Sequence, residues 1–260
     1  MHIIVNNTLI NYNLSGKPVG VSGSVIVFLH GWGRTMEDFD DLAARLAAYF
    51  PQFSFLQMDL PGFGGSPLAR QDGLSLDDYC TTLSALFEKL GCGRVILIGH
   101  SLGGRIAVKF AMLYPDQVEK LVLISAAGIR RRSPRLILLR VARSLFNTMF
   151  FAVRDFVFIL RLKNLFGAAF GSRDYQVSHG ALRETLKRVL AEDLRPDAKK
   201  ISAPTLLLWG KNDRIAPPRD AAEYHALIKD SRLEILNGGH FIFLQKPEKC
   251  TDSIASFLKN

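Results

Sequence analysis

The chain has 260 residues, of which 48% are hydrophobic and 22% are charged, so it can bury a large core as one domain or as one domain with an insertion. Its three cysteines, Cys80, Cys92 and Cys250, are odd in number and form no CxxC pair, which argues against a disulfide framework and against a zinc site. The first residues lack the basic start and long apolar centre of a secretory signal. We therefore expect a soluble globular protein in the cytoplasm.

The net charge of +9 is concentrated in one segment. Residues 128–200 contain 16 Lys and Arg against 6 Asp and Glu, a net charge of +10, which leaves −1 for the rest of the chain. The same segment is rich in Leu, Ile and Phe, but charged residues interrupt it before any window reaches the roughly 18 apolar residues of a membrane-spanning helix. We therefore predict no transmembrane helix.

In chain order, short runs of Val, Ile and Leu alternate with helix-like patterns. The apolar runs predict strands at 25–30, 53–60, 95–100, 120–125, 204–210 and 231–238. Apolar residues at helical spacing predict helices at 75–90, 102–114, 218–229 and 247–258. Nearly continuous apolar strands between helices are typical of an α/β fold with a mainly parallel central sheet that helices flank.

This alternation is interrupted between residues 128 and 204, where the patterns are helical and no strand is convincing. We interpret residues 128–200 as an inserted helical lid on a core domain of residues 1–127 and 201–260. The simplest interpretation of its charge is a cap with solvated arginines. Alternatively, a cluster of arginines among Leu, Ile and Phe makes a peripheral contact with anionic membrane lipid or long acyl chains. The cluster consists of Arg130, Arg131, Arg132, Arg135, Arg140 and Arg143. No nucleic-acid recognition motif is present, so we expect no nucleic-acid partner.

The segment GHSLGG, residues 99–104, follows a predicted strand and opens a predicted helix. The glycines at 99 and 103 flank Ser101 where a sharp strand-to-helix turn would crowd a side chain. In the simplest interpretation Ser101 is a small residue in a tight turn. The strand-turn-helix context instead favours an exposed nucleophile, because it is the setting in which a G-x-S-x-G match carries chemistry.

A serine nucleophile needs a base that a third group orients. Asp213 follows the strand TLLLWG, and His240 follows the strand that ends at residue 238. All three candidates therefore lie at the carboxyl ends of predicted strands, in the order Ser, Asp, His. Asp213 as a turn residue and His240 as an exposed loop histidine are the simpler alternatives.

On these residues the chain resembles the α/β-hydrolase superfamily, and within it the lidded serine esterases and carbon–carbon bond hydrolases, over residues 20–127 and 200–260. The segments HGWG at 30–33 and DLPGFGGS at 59–66 are similar to two further loops of that family. The resemblance implies an α/β-hydrolase fold and an oxyanion hole formed by the N–H groups of Trp32 and Leu102. It also implies a triad of Ser101, Asp213 and His240, and we expect Trp32 and Phe241 to contact substrate.

The first functional hypothesis is a serine hydrolase that cleaves a small-molecule carboxylic ester through an acyl-enzyme, in an apolar pocket between core and lid. The same triad also suits a carbon–carbon bond hydrolase, a thioesterase or a lactonase. A non-catalytic ligand receptor on a hydrolase fold is the alternative outside enzymes. No cluster implies a metal or an organic cofactor. We expect His100 to be a core histidine with satisfied hydrogen bonds, His30 to brace the oxyanion loop, and Asp59 to shape its own loop.

Overall fold

The computed structural model describes residues 1–20, 24–68, 70–130 and 178–260. The chain divides into two compact units, of which one comprises Met1–Ile129 with Gly180–Asn260 and the other comprises Arg130–His179. Almost all of the second unit lies outside the described residues. The predicted lid of residues 128–200 therefore stays a prediction for most of its length.

One sheet contains the eight strands of the described residues, in the order β1-β2-β4-β3-β5-β6-β7-β8. β1 and β2 pair antiparallel and β2 joins β4 antiparallel, whereas β3 to β8 run parallel. This sheet confirms the predicted α/β-hydrolase fold and each of the six predicted strands. The strands are β1 (His2–Val5), β2 (Thr8–Gly16), β3 (Val25–Leu29), β4 (Ser54–Met58), β5 (Val95–His100), β6 (Val118–Ile124), β7 (Thr205–Gly210) and β8 (Ser231–Leu236).

Helices cover both faces of the sheet, and the alternation of side chains along the central strands divides the core accordingly. In β3, Val25, Val27 and Leu29 belong to one hydrophobic cluster, and Ile26 and Phe28 belong to the other. All five side chains are at most 3% exposed, as expected for a strand that is buried on both faces.

The described helices include the four that the sequence predicts. Two short 3₁₀ helices, Met36–Phe39 and Pro115–Gln117, accompany them. Within the described residues the α-helices are α1 (Asp40–Tyr49), α2 (Leu76–Leu90), α3 (Leu102–Leu113), α4 (Gly180–Ala191), α5 (Arg195–Ala198), α6 (Pro218–Leu227), α7 (Ile242–Gln245) and α8 (Pro247–Lys259). None of them is long and apolar enough to cross a membrane.

Helices α4 and α5 pack on the core. The Leu74 N–H donates to Thr185 Oγ1 on α4 at 2.9 Å, and Leu186 and Val189 are buried in the larger core cluster. The compact core unit therefore includes residues 180–200, which the sequence analysis assigned to the insertion. A helical pattern alone does not distinguish a helix that packs on the sheet from one that belongs to a lid.

Candidate active site

Ser101 occupies the single-residue turn between β5 and α3. Its backbone angles are φ 52° and ψ −107°, a conformation that costs a residue with a side chain on the order of 1–3 kcal/mol. Three backbone hydrogen bonds stabilise it: the Ser101 N–H donates to the Ile124 carbonyl at 3.2 Å, and the Ser101 carbonyl accepts from Arg105 N–H at 3.0 Å and from Ala127 N–H at 3.1 Å. The turn therefore projects Ser101 from the carboxyl edge of the sheet.

Two glycines make this turn possible because backbone approaches them closely. A methyl group on Gly103 would overlap the carbonyl oxygen of Leu29, and one on Gly99 would lie 2.5 Å from the carbonyl oxygen of Gly103. The Gly103 N–H also donates to the His30 carbonyl at 3.0 Å. The start of α3 is thus packed directly against the end of β3, where the segment HGWG begins.

Asp213 and His240 form a hydrogen-bonded pair at the ends of β7 and β8. His240 Nδ1 donates to Asp213 Oδ2 at 2.8 Å, while Asp213 Oδ1 accepts from the N–H groups of Ile215 at 2.8 Å and Ala216 at 2.9 Å. Burial alone would raise the pKa of the Asp213 carboxyl, but the hydrogen bonds from His240 and from these two N–H groups keep the pKa below its usual value. The carboxylate is therefore ionised at neutral pH.

The ionised carboxylate determines the tautomer of His240. A carboxylate only accepts hydrogen bonds, so the proton of the neutral imidazole is on Nδ1 and Nε2 is left with its lone pair. That is the form in which a histidine accepts a proton at Nε2. The Asn212 N–H donates to the Gly238 carbonyl at 2.8 Å, so the loops that carry the two side chains are also joined through their backbones.

The Ser101 hydroxyl makes no hydrogen bond among the residues that the structure describes. The structure thus places Asp213 and His240 in contact, and it leaves Ser101 and His240 without direct hydrogen bonding. Nucleophile and base commonly come within hydrogen-bond distance only when substrate is bound.

His30 stabilises the loop that follows β3. Its Nδ1 donates to the Gly31 carbonyl at 2.8 Å, and its Nε2 accepts from the Leu60 N–H at 2.9 Å. Burial lowers the pKa of His30, which keeps the ring neutral and compatible with this pattern. His30 therefore has the bracing geometry that the sequence analysis expected.

The two proposed oxyanion donors belong to neighbouring backbone segments. Neither Trp32 N–H nor Leu102 N–H has an acceptor within the described ranges. A methyl group on Gly31 would lie 3.5 Å from Ser101 Cβ, so the loop that carries Trp32 passes close to Ser101. Leu102 is the first residue of α3, where backbone N–H groups have no intrahelical partner.

Asp59 organises the loop after β4 from a buried position. Its Oδ1 accepts from Met36 N–H at 2.8 Å, and its Oδ2 accepts at 2.8 Å from both Gly65 N–H and Asn11 Nδ2. These three bonds join separate segments of chain, as expected for a carboxylate that shapes its loop.

Trp32 and Phe241, the residues expected to contact substrate, are both half-buried. The Trp32 ring packs edge-on against Phe63 with centroids 5.0 Å apart. The Phe241 ring lies 5.3 Å from the His240 ring, and the Arg34 guanidinium lies 5.5 Å above it. No motif in the sequence singles out Arg34, although this residue directly follows HGWG.

The expectation for His100 is wrong in one respect. His100 is buried, as expected, but its Nδ1 has no hydrogen-bond partner within the described residues. Periodicity places the residue in a buried strand, whereas the satisfaction of each ring nitrogen depends on contacts that are distant in sequence.

In the described part of the chain, no group of three His, Cys, Asp or Glu side chains is placed to bind a metal, and all three cysteines are free thiols.

Comparison with known proteins agrees with this architecture. Residues 24–247 match the family described as alpha/beta hydrolase fold. A 2-hydroxy-6-oxononadienedioate/2-hydroxy-6-oxononatrienedioate hydrolase of Klebsiella pneumoniae is 28% identical over 262 residues, which cover 92% of this chain and 88% of that protein.

Two solved structures share the fold over the whole chain. The esterase EaEST from Exiguobacterium antarcticum is 25% identical with a TM-score of 0.73, and the match covers 100% of this chain and 99% of that one. The enol-lactonase from Burkholderia xenovorans is 21% identical with a TM-score of 0.75, and the match covers 100% of both chains. The chain belongs to the alpha/beta hydrolase family.

Proposed function

We propose that the protein is a serine hydrolase that cleaves carboxylic esters through an acyl-enzyme on Ser101. The observation that carries the proposal is the left-handed backbone of Ser101 at the turn between β5 and α3. A non-glycine residue is kept in such a conformation only where the surrounding structure enforces it, and such positions cluster at active sites. The buried pair of Asp213 and His240 supports the same assignment.

In the proposed mechanism, His240 Nε2 takes the proton from the Ser101 hydroxyl as the oxygen attacks the ester carbonyl. Asp213 stabilises the imidazolium that forms, and the N–H groups of Trp32 and Leu102 donate to the oxyanion. His240 then protonates the departing alcohol as the bond to the acyl carbon breaks. Water, deprotonated by the same histidine, attacks the acyl-enzyme and releases the carboxylic acid and free Ser101.

A second candidate is hydrolysis of a carbon–carbon bond with the same triad. The similarity to the Klebsiella hydrolase favours it, because the substrate in that protein's name is an oxo dicarboxylate and not an ester. Thioester and lactone hydrolysis use the same acyl-enzyme chemistry, and the enol-lactonase has the same fold. These reactions differ in the leaving group and leave the proposed roles of Ser101, Asp213 and His240 unchanged.

The experiment measures hydrolysis of p-nitrophenyl esters of increasing acyl length by the parent protein, by Ser101→Ala and by Ser256→Ala. Ser256 is exposed on α8 and serves as the matched control. Loss of the nucleophile is expected to lower kcat by about 10⁴-fold or more without unfolding the protein, whereas Ser256→Ala keeps the parent rate. The preferred acyl length gives the size of the substrate pocket.

Each alternative has its own result in this assay. Near-parent activity in Ser101→Ala would reject the nucleophile. A parent protein that does not hydrolyse the p-nitrophenyl esters but cleaves a 2-hydroxy-6-oxo dienoic acid would establish the second candidate. No turnover of either class, together with strong thermal stabilisation by a small ligand, would favour a receptor.

Membrane contact through the basic segment also stays a proposal, since Arg131, Arg132, Arg135, Arg140 and Arg143 lie outside the described residues. Replacing Arg130 to Arg132 by glutamine is expected to weaken binding to anionic vesicles more than hydrolysis of a soluble ester. The absence of vesicle binding by the parent would reject this role. The cytoplasmic location likewise remains a prediction.

A further inference from the structure

His100 is the last residue of β5 and immediately precedes Ser101. It is only 1% exposed. Its Nε2 is 3.0 Å from the carbonyl oxygen of His240. Its ring packs against three rings of residues 237–245, a segment that we call the histidine loop, with centroids 4.8 Å from His240, 5.2 Å from Phe241 and 4.9 Å from Phe243. The neighbour of the nucleophile is therefore in direct contact with the residue that carries the base.

The hydrogen bond to His240 determines the state of the His100 ring. A carbonyl oxygen only accepts, so Nε2 carries the proton and Nδ1 is left as an acceptor. A methyl group on Gly31 would lie 3.0 Å from that Nδ1, so His100 also faces the loop of the proposed oxyanion hole. Burial, and next the nearby His240, lower the pKa of His100 to about 3, which keeps the ring neutral under ordinary conditions.

The hydrogen bond from His100 Nε2 to the His240 carbonyl directly joins two segments, residues 99–104, which we call the serine turn, and the histidine loop. Among the described residues, no other hydrogen bond joins residues 99–104 to residues 237–245. Asp213 fixes the Nδ1 end of the His240 ring, but Asp213 belongs to a third loop. Within the described residues, the hydrogen bond from His100 to the His240 carbonyl is therefore the one that links the backbone of His240 directly to the segment that carries Ser101.

We propose that His100 is a positioning residue for catalysis: its Nε2–H fixes the backbone of His240 relative to Ser101, so that His240 Nε2 meets the serine hydroxyl. The inference rests on the proposed hydrolase function and adds to it a residue outside the triad. A displacement of about 1 Å between reacting groups is enough to lower a rate about 10²-fold. The effect is expected in kcat, because His100 is not placed to touch substrate.

Two amide substitutions separate the hydrogen bond from the general effect of replacing a buried ring. Gln can place its Nε2 donor near the position of the imidazole Nε2, whereas Asn is shorter and places its donor near the position of Nδ1. His100→Gln is expected to keep kcat within about threefold of the parent. His100→Asn is expected to lower kcat about 10- to 100-fold with KM unchanged within about twofold. His100→Phe keeps a ring, lacks the donor, and is expected to match Asn.

The readouts are kcat and KM for a p-nitrophenyl ester, the rate at which a fluorophosphonate labels Ser101, and the melting temperature of each variant. If His100 had a merely structural role, the His100→Gln and His100→Asn proteins would have similarly lowered melting temperatures and equal kcat values. If Ser101→Ala is inactive, either of two results would overturn the positioning role of His100 and leave the proposed function standing. One is equal kcat values and labelling rates for His100→Gln and His100→Asn, and the other is parent activity in His100→Phe. A Ser101→Ala protein as active as the parent would overturn the proposed function as well.

Discussion

At the scale of single residues, the two oxygens of Asp213 have separate tasks. Oδ1 accepts from two backbone N–H groups and orders its own loop, while Oδ2 accepts from His240 Nδ1. The carboxylate therefore fixes both the position and the tautomer of the imidazole. Sequence order suggested that Asp213 pairs with His240, but which oxygen accepts from which donor depends on the loop conformation after β7.

Asp213→Asn tests this division. The amide oxygen can still accept from Ile215 and Ala216, but the amide nitrogen donates toward His240 Nδ1 and forces the proton of the imidazole onto Nε2. We expect kcat for ester hydrolysis to fall by about 10³- to 10⁴-fold while the protein remains folded. Asp116→Asn, at an exposed position far along the chain, is the control. A variant at position 213 with parent kcat would contradict the proposed role.

At the scale of elements, the parallel strands were predictable because burial on both faces makes them nearly continuous runs of Val, Ile and Leu. The β1–β2 hairpin was not predicted, since β2 mixes polar and partly exposed residues. A signal was available in Asn6 and Asn7, which have φ of 47° and 58°, the left-handed pair that a tight two-residue hairpin turn requires. Helix α1 was also missed, although Leu42 and Leu46 have helical spacing.

The turn between β5 and α3 depends on the absence of a side chain at Gly103. Gly103→Ala places a methyl group into the Leu29 carbonyl, so we expect the free energy of unfolding to fall by about 1–3 kcal/mol or more, with loss of esterase activity. Gly93→Ala meets no atom within 4 Å and is expected to leave stability unchanged or slightly raised. Urea denaturation of both variants measures this. Equal stability of the two variants would show that the backbone at Leu29 can move away from position 103 without a cost in stability.

At the scale of the whole molecule, one sheet edge brings the turn at Ser101 together with two loops that lie more than a hundred residues further along the chain. Parallel strands end at the same edge, which is why the chain order of Ser101, Asp213 and His240 was enough to predict a common site. The contact between His100 and His240 could not be predicted in this way, because it depends on how the histidine loop turns back after β8. The extent of the insertion was equally inaccessible, since α4 and α5 have helical patterns whether they pack on the core or on a lid.

The burial of His100 has a consequence for the stability of the whole fold in acid. His100 has a folded-state pKa of about 3, below its usual 6.5, so below pH 6.5 the unfolded chain binds a proton that the folded protein excludes. Stability is therefore expected to fall as pH decreases from about 6.5 toward 3, by up to about 1.4 kcal/mol per pH unit for this site. The groups that influence the ring are His240, Asp213 and Arg34.

Urea denaturation at pH 8, 7, 6 and 5 measures that slope. His100→Gln removes the titrating group, so its stability is expected to depend less on pH than that of the parent. His2→Gln, at an exposed position in β1, is expected to follow the parent. Identical slopes for the parent and His100→Gln would contradict a buried neutral His100.

Covalent labelling with a fluorophosphonate, followed by intact-mass and peptide analysis, tests whether Ser101 is an activated nucleophile. We expect one adduct per chain, located on Ser101, with slower labelling of Asp213→Asn and none of Ser101→Ala. A parent protein that stays unlabelled, or an adduct that persists in Ser101→Ala, would contradict the role of Ser101 as nucleophile.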